Sequence, residues 1–264
     1  TGQTLVCPGN AYTYQIAAPA PGITYQWTVT GGTPASGSGS ALSILWQAGS
    51  PVFGISVTAQ SGSEPYCVSD AGTLAVTPLQ NLLISGDDEL CAGDKATYSA
   101  SPVLTEVDYN WQIAPPQAGS VISGQGGATA EVQWNSGYAA AALTVTACGI
   151  SVQHNITIHE AVPPAIVASG NLCAGSSIGL SVVPAAYTFY QWSNSAISPN
   201  ITVSTGDDYV VSVTDANGCT ANATLNVHEY PLPDASISAQ DINTVCSDNP
   251  NNVDISALLA DGYN

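Results

Sequence analysis

The chain has 264 residues, 45% of them hydrophobic and only 8% charged, with nineteen Asp and Glu against one basic residue, Lys95. A net charge of −18 argues against nucleic acid and anionic lipid as partners, because both are held by clustered Lys and Arg. The apolar content is that of a folded chain rather than a disordered one. No apolar run approaches the ~20 residues of a membrane-crossing helix, so no direct membrane insertion is expected. The scarcity of Lys and Arg removes trypsin-type cleavage sites, and the absence of Met removes an easily oxidised side chain. Both suit a long-lived extracellular material.

Cysteine and tryptophan recur in a cadence. Cys7 is followed by Trp27, Trp46 and Cys67; Cys91 by Trp111, Trp134 and Cys148; Cys173 by Trp192 and Cys219; and Cys246 opens a fourth round. The first Trp follows the opening Cys by 20, 20 and 19 residues, and the closing Cys follows it by 60, 57 and 46. The flanks repeat as well: Val6-Cys7-Pro8-Gly9, Leu90-Cys91-Ala92-Gly93 and Leu172-Cys173-Ala174-Gly175, then Tyr25-Gln26-Trp27, Tyr109-Asn110-Trp111 and Tyr190-Gln191-Trp192. Such periodicity marks a string of like modules. We place them at 1–79, 80–162 and 163–232, with 233–264 the start of a fourth, incomplete one. Thr1–Val6 matches only the end of what precedes Cys91 and Cys173, so the first strand of module one is expected to be missing or short.

Short alternating runs of Val, Ile, Thr, Tyr and Ala, broken by Gly, Pro, Asn and Asp, predict strands throughout. In chain order these are Ala11–Ala17, Thr24–Thr30, Ala41–Trp46, Gly54–Ala59 and Thr73–Thr77. Module two follows with Leu82–Ser85, Lys95–Ala100, Tyr109–Ala114, Ala130–Trp134, Ala141–Ala147 and His154–His159. Module three has Ser177–Val183, Tyr187–Ser193, Asn200–Ser204, Asp208–Thr214 and Ala221–His228. One short helical pattern covers Ile255–Ala260. Strands of this number around a Cys…Trp…Cys skeleton predict an all-β fold of tandem immunoglobulin-like sandwiches, with Trp27, Trp111 and Trp192 in their cores. Proline junctions at Pro78, Pro163-Pro164 and Pro231 predict stiff links and an extended rod.

Two cysteines per module of this size indicate disulfides formed in an oxidising compartment. The expected pairing is within modules: Cys7–Cys67, Cys91–Cys148 and Cys173–Cys219, with Cys246 unpaired in this stretch. A zinc site is disfavoured, since no CxxC occurs and the histidines do not repeat with the cysteines.

The third module carries a resemblance. Leu172-Cys173-Ala174-Gly175, Tyr190-Gln191-Trp192-Ser193, Ile201–Gly206 and Tyr209-Val210-Val211-Ser212-Val213-Thr214-Asp215-Ala216-Asn217-Gly218-Cys219 resemble the Ig-like repeats of large Bacteroidota surface proteins. Those include gliding-motility adhesins exported by type IX secretion. Modules one and two, with Trp27-Thr28-Val29-Thr30-Gly31-Gly32, Trp46 and Trp134, are similar to the PKD-like variants of the same proteins. The resemblance implies an extracellular or cell-surface setting, a role in adhesion, spacing or filament building, and no catalytic residues to carry over.

No chemistry of catalysis stands out, and the chain is not expected to be an enzyme. No Gly-x-Ser-x-Gly elbow appears on a strand-to-helix turn, and the paired carboxylates lie in turns, where Asp favours local hydrogen bonding. No cofactor is expected. Calcium is the one candidate ligand, through turn oxygens of Asp87, Asp88, Glu89, Asp207, Asp208 and Asp215, without a spaced ligand motif behind it. With only Lys95 available, a repeated isopeptide crosslink is excluded. The sequence therefore reads as a stalk, fibre or adhesin segment whose partners are further modules of one long chain or neighbouring copies in a fibre. Two alternatives stand beside it: a carbohydrate-binding accessory region that meets surface glycans, and a self-assembling filament subunit.

Overall fold

Strand segments here bury every second residue, the period that puts alternate side chains on opposite faces of a sheet. Ala11–Gln15 is a clear case, with Tyr12 and Tyr14 buried and their neighbours exposed. A computed structural model describes residues 1–184 and 186–232. In the first module the strands are β1 (Leu5–Val6), β2 (Ala11–Gln15), β3 (Ile23–Thr30), β4 (Gly32–Thr33), β5 (Ser36–Ser38), β6 (Ala41–Trp46), β7 (Phe53–Ser61) and β8 (Gly72–Pro78). They form a five-stranded sheet, β1-β8-β7-β3-β5, and a three-stranded sheet, β2-β6-β4. The layers meet where Trp46 of β6 stacks on Phe53 of β7, ring centroids 4.9 Å apart.

The second module repeats this plan with β9 (Leu83–Ser85), β10 (Glu89–Cys91), β11 (Lys95–Ser101), β12 (Asn110–Ala114), β13 (Gly119–Ser123), β14 (Thr129–Trp134), β15 (Ala140–Ala147) and β16 (Ile150–His159). Its sheets are β10-β16-β15-β12 and β13-β14-β11-β9. The third contains β17 (Ala165–Ala168), β18 (Leu172–Cys173), β19 (Ile178–Val183), β20 (Phe189–Trp192), β21 (Asn200–Val203), β22 (Asp207–Thr214), β23 (Thr220–Val227) and β24 (Glu229–Tyr230). Its sheets run β17-β19-β21, β18-β24 and β20-β22-β23.

By contact density the described residues fall into two compact units, one of 1–164 with 186–190 and 212–222, the other of 165–184, 191–211 and 223–232. Within the first, the buried residues of both leading modules form one contiguous cluster from Val6 to Ile158. Leu79 and Leu82, on either side of the first junction, are buried in that cluster. In the second unit Leu180, Val182, Trp192, Val203 and Val211 are buried.

Eight strands escape the sequence patterns, β4, β5, β13, β17 and β24 among them, and the other three, β1, β10 and β18, share one role. Two or three residues carry no periodicity to detect, yet each ends at or beside an opening cysteine and pairs in parallel with the last strand of its module. Val6 pairs with Pro78, Cys91 with His159 and Cys173 with Tyr230. β1 is thus the counterpart of β10 and β18, and among the described residues the first module has no strand matching β9 and β17. Cys246 and Ile255–Ala260 lie outside the described residues.

Candidate functional site: cysteine-bonded module junctions

The parallel first strand fixes where the cysteines can go. In module two, Cys91 lies opposite His159 at the end of β16, while Cys148 sits in the turn that begins it. Ten strand residues at about 3.3 Å each separate the two ends by roughly 33 Å. A disulfide requires Cα atoms within about 7 Å, so the expected Cys91–Cys148 bond cannot form. The structure instead joins Cys7 to Cys148, Cα atoms 5.2 Å apart, and Cys91 to Cys219, 5.5 Å apart. Cys67 and Cys173 are free and exposed. The intramodule pairing Cys7–Cys67, Cys91–Cys148 and Cys173–Cys219 is therefore corrected: each bond runs from the opening cysteine of one repeat to the closing cysteine of the next.

Local sequence places both partners. Cys148 and Gly149 are the two loop residues between Ala147 and Ile150, with φ of 54° and 75°. A two-residue hairpin whose central residues both have positive φ follows the twist of its strands, and it puts the Cys148 side chain at the hairpin tip. Cys219 is held otherwise. The Asp215 Oδ1 atom accepts the backbone N–H groups of Asn217 at 2.9 Å and Cys219 at 3.0 Å. Gly218, at φ 84°, closes that turn. Asp215 is the one buried polar residue among those described, and its Oδ2 has no partner. Its role in shaping the cysteine turn was legible only as Asp-x-Asn-Gly turn chemistry.

The opening cysteines share a second arrangement. After each, a tight turn returns an N–H to the cysteine carbonyl: Asn10 to Cys7 at 3.2 Å, Asp94 to Cys91 at 3.0 Å and Ser176 to Cys173 at 2.9 Å. Each cysteine N–H is capped by a side-chain oxygen, from Tyr12, Asp94 and Ser176 respectively. At the Cys91–Cys219 bond, Cys219 Sγ lies 3.7 Å from the His159 carbonyl oxygen. His159 Nε2 and Glu89 Oε2 stand 3.7 Å apart beside it.

The tryptophans are packing elements. Trp27, Trp111 and Trp192 are buried, and their indole N–H groups donate to the carbonyls of Gly39, Gly127 and Ser198 at 2.7, 2.9 and 2.8 Å. Trp46 and Trp134 are fully buried, each donating to a tyrosine hydroxyl, Tyr14 at 3.1 Å and Tyr98 at 3.2 Å. Each also meets that ring edge-on, at centroid distances of 6.0 and 6.1 Å. Gly2 and Gly86 lie over the same two rings, where a Cβ would collide with Tyr14 and Tyr98.

The calcium candidates are not brought together. Asp87 and Asp88 occupy the exposed turn before β10, and the Asp88 carbonyl accepts the Thr157 N–H at 2.8 Å. Asp207 Oδ1 accepts the N–H of Asp208, and Asp208 Oδ1 accepts from Asn226 Nδ2. Among the described residues no three carboxylate, His or Cys groups gather as a metal site.

These geometries define the class: tandem immunoglobulin-like β-sandwiches. Within it, the PKD-like domain family matches residues 1–74 and 77–158, more than half of the chain, and the chain belongs to that family. No curated protein matches it. Among solved structures it is similar to three N-terminal domains of the highly immunogenic outer capsid protein of bacteriophage RB49, with 11% identity over 88% of this chain and 99% of that one, TM-score 0.41. It is also similar to a three-domain segment of titin, with 9% identity over 87% and 94%, TM-score 0.32. A third is the five-domain immunoglobulin segment of Sidekick-1, with 12% identity over 87% of this chain, TM-score 0.31. The chain spans 57% of the Sidekick-1 segment.

Proposed function

We propose that this chain is a structural segment of a long secreted cell-surface protein, a stalk, fibre or adhesin built from PKD-like modules. Its residue motifs favour the large surface adhesins of Bacteroidota, exported by type IX secretion, as its setting, and an extracellular, oxidising location as its working environment. The observation that carries the reading is the pairing of opening and closing cysteines across successive modules. A bond inside a module protects only that module. A bond from each module to the next limits how far the string can lengthen when its ends are pulled. With Trp27, Trp46, Trp111, Trp134 and Trp192 all in the core, no tryptophan is left to stack on a sugar, so a spacer is favoured over the carbohydrate-binding alternative. No catalytic role is proposed.

Single-molecule pulling tests this. With both bonds intact, the shortest covalent path from Cys7 to Cys219 contains the 57 residues between Cys91 and Cys148, or about 20 nm when extended. After reduction the same ends are separated by 212 residues, about 75 nm. The expected result is a gain of roughly that difference on adding reductant. An unchanged contour length would overturn the proposal.

A further inference from the structure

The two free cysteines occupy the same roles as the bonded ones. Cys173 is built as Cys91 is. Each ends a short strand that pairs in parallel with the last strand of its module, Cys91 opposite His159 and Cys173 opposite Tyr230. The following N–H donates to the opposite carbonyl in both, Ala92 to His159 at 2.9 Å and Ala174 to Tyr230 at 2.8 Å. A buried leucine precedes each, Leu90 and Leu172. The difference is the occupant: Cys219 sits on Cys91, and Cys173 is exposed. Cys67 is the reciprocal case. Like Cys148 it lies in the connection between the last two strands of its module, tied back by Ser61, whose N–H donates to the Cys67 carbonyl at 3.0 Å and whose Oγ accepts the Cys67 N–H at 2.9 Å.

The apolar surface around the two thiols gives a second, independent indication. By the strand register Leu79, which follows the pairing of Val6 with Pro78, is the counterpart of Tyr230, which pairs with Cys173. At the bonded junction Leu79 is 4% exposed; opposite the free thiol Tyr230 is 47% exposed. Cys67 is flanked by Tyr66 and Val68, exposed by 57% and 62%. Exposed apolar residues beside a free thiol whose counterparts in the neighbouring modules are bonded mark a surface meant to be covered.

We propose that Cys173 is a covalent acceptor for the closing cysteine of another PKD-like module, and that Cys67 is the matching donor to the opening cysteine of a preceding one. The occupant is a module of a second copy of this chain, since one chain carries both a free opening cysteine and a free closing cysteine. Bond formation needs an oxidant, for which a small-molecule disulfide suffices. The Cys173 thiolate attacks one sulfur of glutathione disulfide and releases one glutathione thiolate. A closing-cysteine thiolate then attacks the Cys173 sulfur of the mixed disulfide and releases the second. Two thiols are thereby oxidised to one disulfide, and glutathione disulfide is reduced to two thiols.

The inference rests on the cross-module pairing and is tested apart from it. In a Cys246→Ser background, Cys67→Ser chains, which keep Cys173, are mixed with Cys173→Ser chains, which keep Cys67, in a glutathione redox buffer. The expected result is a reduction-sensitive dimer, bridged Cys67 to Cys173, formed at least tenfold faster in the mixture than by either chain alone. Equal rates in all three would show unselective thiol chemistry and overturn the proposal. So would no dimer while both thiols still exchange with glutathione disulfide. A disulfide map of the same chains shows whether Cys7–Cys148 and Cys91–Cys219 hold, so failure here is distinguishable from failure of the pairing itself. In protein taken from its own source, non-reducing electrophoresis then tests the occupant. A bridged Cys173 with added polypeptide mass supports a second copy; a bridged Cys173 without it is held by a module of the same polypeptide and overturns that assignment.

Discussion

Tyr98 shows how much one side chain carries in so small a core. Its ring is fully buried against Trp134, and its hydroxyl accepts the indole N–H. Burial pushes its pKa up to about 12, with the Trp134 hydrogen bond pulling the other way. Tyr14, in the same place in module one, is raised for the same reason. The unfolded chain releases these protons near pH 10, so the folded state holds them more tightly. This contribution is fully present below pH 10 and is lost as pH rises towards 12. Melting temperature, measured with thiols blocked, is expected to fall across that window, and Tyr98→Phe to flatten the fall. Trp111→Ala is expected to cost about 3–5 kcal/mol in urea unfolding, from lost packing and an unpaired Gly127 carbonyl. Asp215→Ala strands the N–H groups of Asn217 and Cys219 and is expected to cost about 1–3 kcal/mol, whereas Asp215→Asn, which keeps an acceptor oxygen, costs less.

Among the elements, strands of five residues or more were legible except β13, whereas of the shorter ones only β9, β20 and β21 were. Ala41–Trp46 is observed at its expected bounds, and β15 begins one residue earlier than expected. Both alternate over six residues or more, enough for the period of two to speak. The strands β1, β10 and β18 are two or three residues long, and their existence depends on a partner strand far along the chain, as Leu5 pairs with Thr77 and Leu172 with Glu229. Missing them hid the cysteine pairing. Spacing shows that each module has an opening and a closing cysteine, but only the parallel pairing shows that these lie at opposite ends of the sandwich. The tryptophan offsets in modules one and two, by contrast, follow from strand positions within one sheet, where spacing is informative. Leu79, next to the Pro78 junction and the last residue of the first expected module, is buried in the core that modules one and two share. Leu79→Ala is therefore expected to destabilise modules one and two together, by about 2–5 kcal/mol in a single unfolding transition.

In the molecule as a whole, the two disulfides overlap along the sequence, closing loops of 141 and 128 residues. By the chain-entropy account each contributes about 5 kcal/mol, more than a bond inside one module would. The most direct test of this account is the disulfide map of the oxidised chain. With one Lys in 264 residues, trypsin is of little use, and pepsin at acid pH cleaves without scrambling the bonds. After free thiols are alkylated, the account predicts linked peptides carrying Cys7 with Cys148 and Cys91 with Cys219, whether Cys67 and Cys173 are alkylated or bridged to another copy. Peptides linking Cys7 with Cys67 and Cys91 with Cys148 would contradict it.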